Sequence, residues 1–203
     1  MPEITVTTCQ GRAIAPHLEA LAHLRIRVFR DFPYLYDGDL AYEADYLRRY
    51  AECPDSLFVL AFDGEALVGA ATGMPLAAEV EAFRHPFEQA GYPIDSVFYY
   101  GESVLLPKYR GRGIGKAFMV ERESHAKKAG FSTVAFCAVE RPDDHPARPA
   151  DYQPLHGFWH SRGYRRVPEL ATTFPWRDIG DHEETDKPLV FWLKELDGST
   201  TSP

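Results

Sequence analysis

Residues 105–118, LLPKYRGRGIGKAF, put three glycines within five residues, at the end of an apolar run and directly before a helical pattern. A strand that runs through such a turn into a helix, and then into a second strand, "STVAFCAV" (132–139), is a crossover unit whose two strands lie locally parallel. The stretch holds four cations, and no Asp or Glu occurs between Glu102 and Glu121. That is unusual in a chain of formal charge −8. The first amides of a helix lack intrahelical acceptors, and the helix dipole places partial positive charge there. Acidic side chains usually complement that end, whereas here Arg110, Arg112 and Lys116 surround it. An external anion is the missing complement, and Gly111, Gly113 and Gly115 remove the Cβ atoms that would keep the backbone from wrapping around it. A plain tight connection would not need three residues that each cost conformational entropy on folding.

Spacing separates this turn from the nucleotide loops. A P-loop requires Gly-x4-Gly-Lys-Ser/Thr, but Gly115-Lys116 is followed by Ala117, and Arg110 stands five residues before Gly115. The dinucleotide pattern GxGxxG fails because Lys116 occupies the third glycine position. What remains is Arg110-x-x-Gly113-x-Gly115.

Around this unit the pattern reads β-α-α-β-β-(insert)-β-α-β-α-β-β. "ITVTTC" alternates like a strand, and from Pro16 a helix sets Leu18, Leu21, Leu24 and Val28 on one face. The aromatic turn "DFPYLYDGD" leads to a second helix that carries Tyr42, Tyr46, Leu47 and Tyr50 and stops before Pro54. "SLFVLAFDGEALVGAATG" predicts a hairpin turning at Asp63-Gly64. "PLAAEVEAFRHPFEQAGYPID" predicts a helix and then a loop, and "SVFYYGESVLL" one β-rich strand. The glycine-led helix runs from about Ile114 to Ala129 with Gly130 as its C-terminal cap. A Pro-rich loop, a short helix in "LHGFWHSRG", and strands near "ATTFPW" and in "PLVFWLKEL" complete the order.

With 203 residues, 45% of them hydrophobic, the chain suffices for one domain over 1–203, with 197–203 as a frayed tail. The acidic balance argues against nonspecific nucleic-acid binding. Three widely spaced cysteines without a CxxC pair read as reduced thiols in a cytoplasmic protein. No signal peptide or membrane-length apolar segment is seen, and the eight histidines form no strong ligand motif, so no membrane and no metal are expected. The oligomeric state is open, and a homodimer is compatible with the sequence.

"SVLLPKYRGRGIGKAF" resembles the acetyl-CoA loop of the GNAT superfamily of N-acetyltransferases, whose signature is Gln/Arg-x-x-Gly-x-Gly/Ala; Pro107 and the hydrophobic strand end match as well. "FWHSRGYRRV" (158–167) is similar to the family's Phe-Tyr-x-x-x-Gly-Phe segment. The resemblance implies an α/β (α+β) fold with a mixed, mostly antiparallel central sheet, flanked by helices and splayed at the acetyl-CoA site. It implies acetyl-CoA as co-substrate, with the diphosphate cradled by Arg110, Gly111, Arg112, Gly113, Ile114, Gly115 and Lys116. The pantetheine arm would pair with backbone at Ser103, Val104 and Leu105. The activity implied is transfer of an acetyl group to a primary amine, by direct attack in a ternary complex. A small-molecule acceptor is the first reading, a protein N-terminus or lysine the second, and a non-catalytic acyl-CoA sensor or interaction module the third.

An alkylammonium, with a pKa of about 10, must lose a proton before it can attack. Glu102 is the candidate base, because it precedes the loop and adjacent Gly101 marks a bulge that redirects side chains; Tyr99 and Tyr100 are alternatives. The position often held in the family by a tyrosine that protonates the thiolate is Trp159, a poor proton donor. Tyr152 is the candidate acid, with His156, His160 or water as alternatives. Cys137 could in principle carry the acetyl group, but a strand cysteine among apolar neighbours reads as core. The acceptor walls are expected from "FRDFPYLYDGD" and from "RPDDHPARPADY", whose aspartates suit an amine and whose Arg148 suits a carboxylate.

Overall fold

Alternating apolar runs, Gly/Asp turns and two apolar-faced helices build one eight-stranded sheet with helices on both faces. The structure is a computed structural model and describes residues 4–196; the tail read at 197–203 lies outside the described residues. The strands are β1 (Ile4–Gln10), β2 (Leu57–Asp63), β3 (Ala66–Pro75), β4 (Val97–Tyr99), β5 (Ser103–Leu105), β6 (Thr133–Val139), β7 (Arg165–Trp176) and β8 (Thr185–Glu195). They run in the order β1-β2-β3-β4-β6-β8-β7, with β5 also on β3. Among the described residues only the β4–β6 pairing is parallel, as the crossover predicted.

The helices are α1 (Leu18–Phe29), α2 (Leu40–Glu52), α3 (Glu81–Gln89), α4 (Ile114–Lys128) and α5 (His156–Ser161). Asp39 starts α2, its Oδ1 accepting from the amides of Ala41 (2.9 Å) and Tyr42 (3.0 Å). The β2–β3 hairpin turns at Gly64, φ +61°. Beyond α4, Gly130 takes φ +87°, which a side chain would disfavour. The segment from Pro16 departs from expectation, because Gly11–His17 forms a 3-10 turn and α1 begins only at Leu18. β7 begins at Arg165, earlier than "ATTFPW" suggested, and its register shifts between Val167 and Ala171, where Pro168 offers no amide to the ladder.

Strand alternation divides the core. Phe98, Val134, Phe136 and Trp192 face one side, with α4 and α5; Tyr99, Ala135, Phe191 and Leu193 face the other, with α3. Among the described residues no helix is long and apolar enough to cross a membrane.

Candidate active site

The run "SVFYYGESVLL", expected as one strand, is interrupted at Tyr100-Gly101-Glu102, and this interruption organises the site. β4 stays beside β6 as far as Tyr99–Ala135, and the Tyr100 amide still donates to the Ala135 carbonyl at 2.8 Å. Beyond that point β5 keeps only β3, while β6 keeps only β8. The sheet therefore splays, and one edge of Ser103–Leu105 has no strand partner. The bulge also resets side-chain parity. Tyr99 joins the α3-side core, and Glu102, three residues on, reaches Arg25 and Tyr46 of α1 and α2, whereas Ser103 turns to α4. Gly101 is required here, since a Cβ would lie 2.1 Å from the Tyr50 hydroxyl and 2.8 Å from Thr72 Oγ1.

Arg122 of α4 locks the bulge from the opposite face. Buried, it donates to the carbonyls of Thr72 (3.2 Å) and Glu102 (3.0 Å) and to Ser103 Oγ (2.7 Å), and its guanidinium lies 4.1 Å from the Tyr100 ring centre. The Glu102 carbonyl also accepts from the Thr72 amide at 3.1 Å, so Arg122 reinforces the link between the bulge and β3.

From β5 the chain passes through a 3-10 turn, Pro107–Tyr109, into the glycine segment. Gly111 and Gly113 take φ +74° and +81°, and Gly113 is the N-cap of α4. A Cβ at Gly111, Gly113 or Gly115 would meet nothing within 4 Å, so the turn is open on its outer side. The first bond of α4 runs from the Ala117 amide to Gly113 O (3.0 Å), and among the described residues the amides of Gly111 to Lys116 have no acceptor in the chain. Arg110, Arg112 and Lys116 are exposed around them. Arg110 folds back, Nε donating to Leu105 O (3.3 Å) with the guanidinium 4.0 Å from Asp31. Unpaired amides, a positive helix end and exposed cations fit a diphosphate. Among the described residues no group of three or more His, Cys, Asp or Glu is placed to hold a metal ion.

Glu102 is buried in a network the sequence did not reveal. Its Oε2 accepts from the Tyr46 hydroxyl (2.7 Å) and lies 2.7 Å from Arg25 Nη1, while Arg25 Nε bonds Glu43. Arg25 also stacks 3.9 Å from the Tyr46 ring centre. Two buried carboxylates thus share one guanidinium, and Glu102 Oε1 has no hydrogen-bond partner. Alongside, Tyr50 donates to Glu79 Oε1 at 2.5 Å. Arg25 and Glu43 carried a signal that went unread, since each is a charged residue at a core-facing position of an otherwise apolar helix face, beside Leu21 and Leu24 or one turn from Leu47.

The acid candidates separate. Trp159 packs edge-on to Phe136 and Trp192, both with centroids 5.0 Å away, and the rings of His156 and His160 lie 5.2 and 5.0 Å from Trp192. Trp159 is half-buried against that core, and the exposed His156 and His160 lie over Trp192. Tyr152 instead stands edge-on to Phe32 (4.7 Å), and burial raises its phenol's pKa against the opposing pull of Arg148. Cys137 lies 3.1 Å from the Tyr99 hydroxyl, and burial pushes its thiol up to about 12. Such a thiol is un-ionised at neutral pH and a poor nucleophile.

The two segments expected to wall the acceptor meet. Phe32 touches Tyr152, and His145 and Arg148 approach the same ring at 5.7 and 5.9 Å. Tyr34 lies between Phe29 (4.5 Å) and Trp176 (5.9 Å), and burial raises its phenol's pKa, with Arg25 pulling the other way. The loop 31–38 is bonded to the β7–β8 turn, Asp37 N to Arg177 O at 2.9 Å and Ile179 N to Leu35 O at 2.7 Å.

Among curated proteins no sequence match is found. In fold the chain is similar to yncA of Salmonella typhimurium, solved with its cofactor acetyl-CoA (TM-score 0.60, 12% identity, covering 98% of this chain and 97% of that one). It is similar to ACIAD1637 of Acinetobacter baylyi ADP1 (TM-score 0.63, 13% identity, 100% and 98% covered). It is also similar to a ribosomal-protein-alanine N-acetyltransferase of Brucella melitensis (TM-score 0.58, 16% identity, 94% and 99% covered). The model of the acetyltransferase (GNAT) family matches residues 19–164, from α1 across the splay and the glycine turn to the start of β7. The chain therefore belongs to the GNAT family and is an acyltransferase.

Proposed function

We propose that the protein moves the acetyl group of acetyl-CoA to the primary amine of a small molecule, by direct attack in a ternary complex, in the cytoplasm. Acetyl-CoA, when bound, supplies an acetyl group activated as a thioester. The amides of 111–116, with Arg110, Arg112 and Lys116, hold its diphosphate, and the unpartnered edge of Ser103, Val104 and Leu105 pairs with its amide-rich arm. Support for these roles comes from the unpaired donors and from the acetyl-CoA carried by yncA.

Glu102 is the proton acceptor in this reading. Glu43 shares Arg25 with Glu102, so carboxylates outnumber cations by one in that trio. The excess charge attracts an ammonium, and Oε1, enclosed and without a hydrogen-bond partner among the described residues, is the atom that takes its proton, directly or through one water. Tyr152 is the proton donor to the departing sulfur, its phenol staying protonated at neutral pH.

The bonding of loop 31–38 to the β7–β8 turn carries the choice of a small acceptor. Tyr36 and Asp178 bridge as antiparallel partners, which closes the space between these two segments to an extended chain. Thiol release from acetyl-CoA in the presence of small amines and of peptides tests this. Turnover on small amines supports the reading, turnover on peptides alone selects a protein acetyltransferase, and tight CoA binding without turnover on either overturns it.

A further inference from the structure

Arg141, two residues past β6, is nearly buried and bonds none of the groups assigned to acetyl transfer. Its Nε donates to the Pro33 carbonyl at 2.8 Å, and its Nη2 donates to the Tyr34 carbonyl at 2.9 Å. The same guanidinium grips Asp178 at both oxygens, 2.9 Å to Oδ1 and 2.8 Å to Oδ2. Trp176 Nε1 donates to the same Tyr34 carbonyl at 3.0 Å. Lys187, also buried, lies 3.5 Å from Asp178 Oδ1 and donates to the Trp176 carbonyl at 2.9 Å. One residue further on, Leu35 holds φ +54°, a left-handed conformation that costs a branched side chain energy and persists only where its surroundings over-determine it. Arginine suits this junction because a planar fork can serve two carbonyls and a carboxylate at once, which an ammonium cannot.

What the clamp presents is the Tyr34 ring, set between Phe29 and Trp176; the Phe29 ring lies 5.2 Å from the guanidinium of Arg25, which holds Glu102, so this ring stack borders the acceptor side. We infer that Arg141 is a positioning residue that holds the Tyr34 phenol as a stopper over the acceptor side of the site, keeping water off the bound thioester. This rests on the acetyl-transfer reading above. A thioester is open to attack by water as well as by an amine. In that side reaction the acetyl carbon–sulfur bond breaks, a carbon–oxygen bond to water forms, and water's protons leave with the thiol and the medium. A stopper that keeps bulk water from the acetyl carbon suppresses it.

The test uses the whole chain with acetyl-CoA as the only substrate, following free thiol with no amine present and CoA affinity by calorimetry. Arg141→Lys is expected to speed water-driven thiol release about tenfold while the Kd for CoA stays within about twofold. A loss of general stability would slow release or weaken CoA instead. Tyr34→Ala keeps the clamp, whose bonds go to main-chain carbonyls and Asp178, and should raise release in the same way; Tyr34→Phe keeps the ring and should restore the wild-type rate. If Arg141→Lys does not fold, Tyr34→Ala decides alone. Unchanged or slower release with normal CoA affinity overturns the inference and leaves the acetyl-transfer reading standing, whereas a wild-type chain that binds no CoA overturns both.

Discussion

The glycine turn before α4 and the wall opposite it are built on different principles. The turn is local: ten residues, Ser103 among the first and Lys116 at the end, supply its features, and they work mainly through main-chain amides and open space. The wall is dispersed. Glu102, Arg25, Glu43, Tyr34, Arg141 and Trp176 come from six segments and work through buried side chains that hold one another in place. A backbone anion site needs little more than a sequence able to take the turn. A side-chain site needs the whole fold first.

Separability is the consequence, and the cofactor side should show the largest effect. Gly113→Asp puts a side chain at φ +81° and a negative charge at the N-cap of α4, where nothing packs against it. CoA affinity by calorimetry should fall at least about 100-fold with little change in far-UV circular dichroism, because the position is open and exposed. Normal affinity in this variant would break the assignment of the turn.

The same contrast explains what could be read from the sequence. Gly111, Gly113 and Gly115 are legible locally, since their spacing excludes the nucleotide loops and the cations around them are unlike an ordinary cap. Glu102 stands out in the sequence because Gly101 sits beside it, but its ion pair does not, since Arg25 is 77 positions away and the packing of α1 and α2 on the bulge joins them. The interruption of β4–β5 was half visible: Gly101 hinted at a bulge, yet the bonds that hold it come from Arg122, which reads in sequence as an ordinary charge on a helix. Trp159 looked like a substitution at a functional position, and its contacts with Phe136 and Trp192 give it a core role. Tyr34 was one aromatic among several in "FPYLY", and nothing local set it apart from Phe32 or Tyr36.

On the acceptor side the expected effects are on turnover. Glu102→Gln keeps the size of the side chain, leaves Arg25 paired with Glu43, and removes the proposed proton acceptor. Turnover should drop about 100-fold, within the usual range for a general base, while CoA affinity stays near wild type. A variant that lost CoA binding instead would show that the two halves are not independent. Tyr152→Phe should cost less, about tenfold in turnover at neutral pH. That loss should shrink as the pH passes a thiol's ordinary range of about 8.5, because a thiolate then leaves without needing a proton. A deficit equal at every pH would assign Tyr152 to packing against Phe32 alone.

The smallest effect sharpens the comparison most, because Cys137 stands within the splay, beside Tyr99, yet belongs to neither half. An acetyl-enzyme route would need its thiolate. Burial holds the thiol at about 12, so the ionised fraction at neutral pH is negligible, and the neighbouring Tyr99 hydroxyl does not offset that burial. Cys137→Ala should keep turnover within about twofold, since direct attack asks nothing of this sulfur. The same raised value fixes a stability effect. The folded state favours the neutral thiol, so from pH 9 to 12 the unfolded chain ionises first and the wild type loses stability as pH rises. Below pH 9 that contribution is fully present. Urea unfolding across this window should therefore show a steeper decline in the wild type than in Cys137→Ala, and equal slopes would mean that the thiol is less enclosed than its contact with Tyr99 implies.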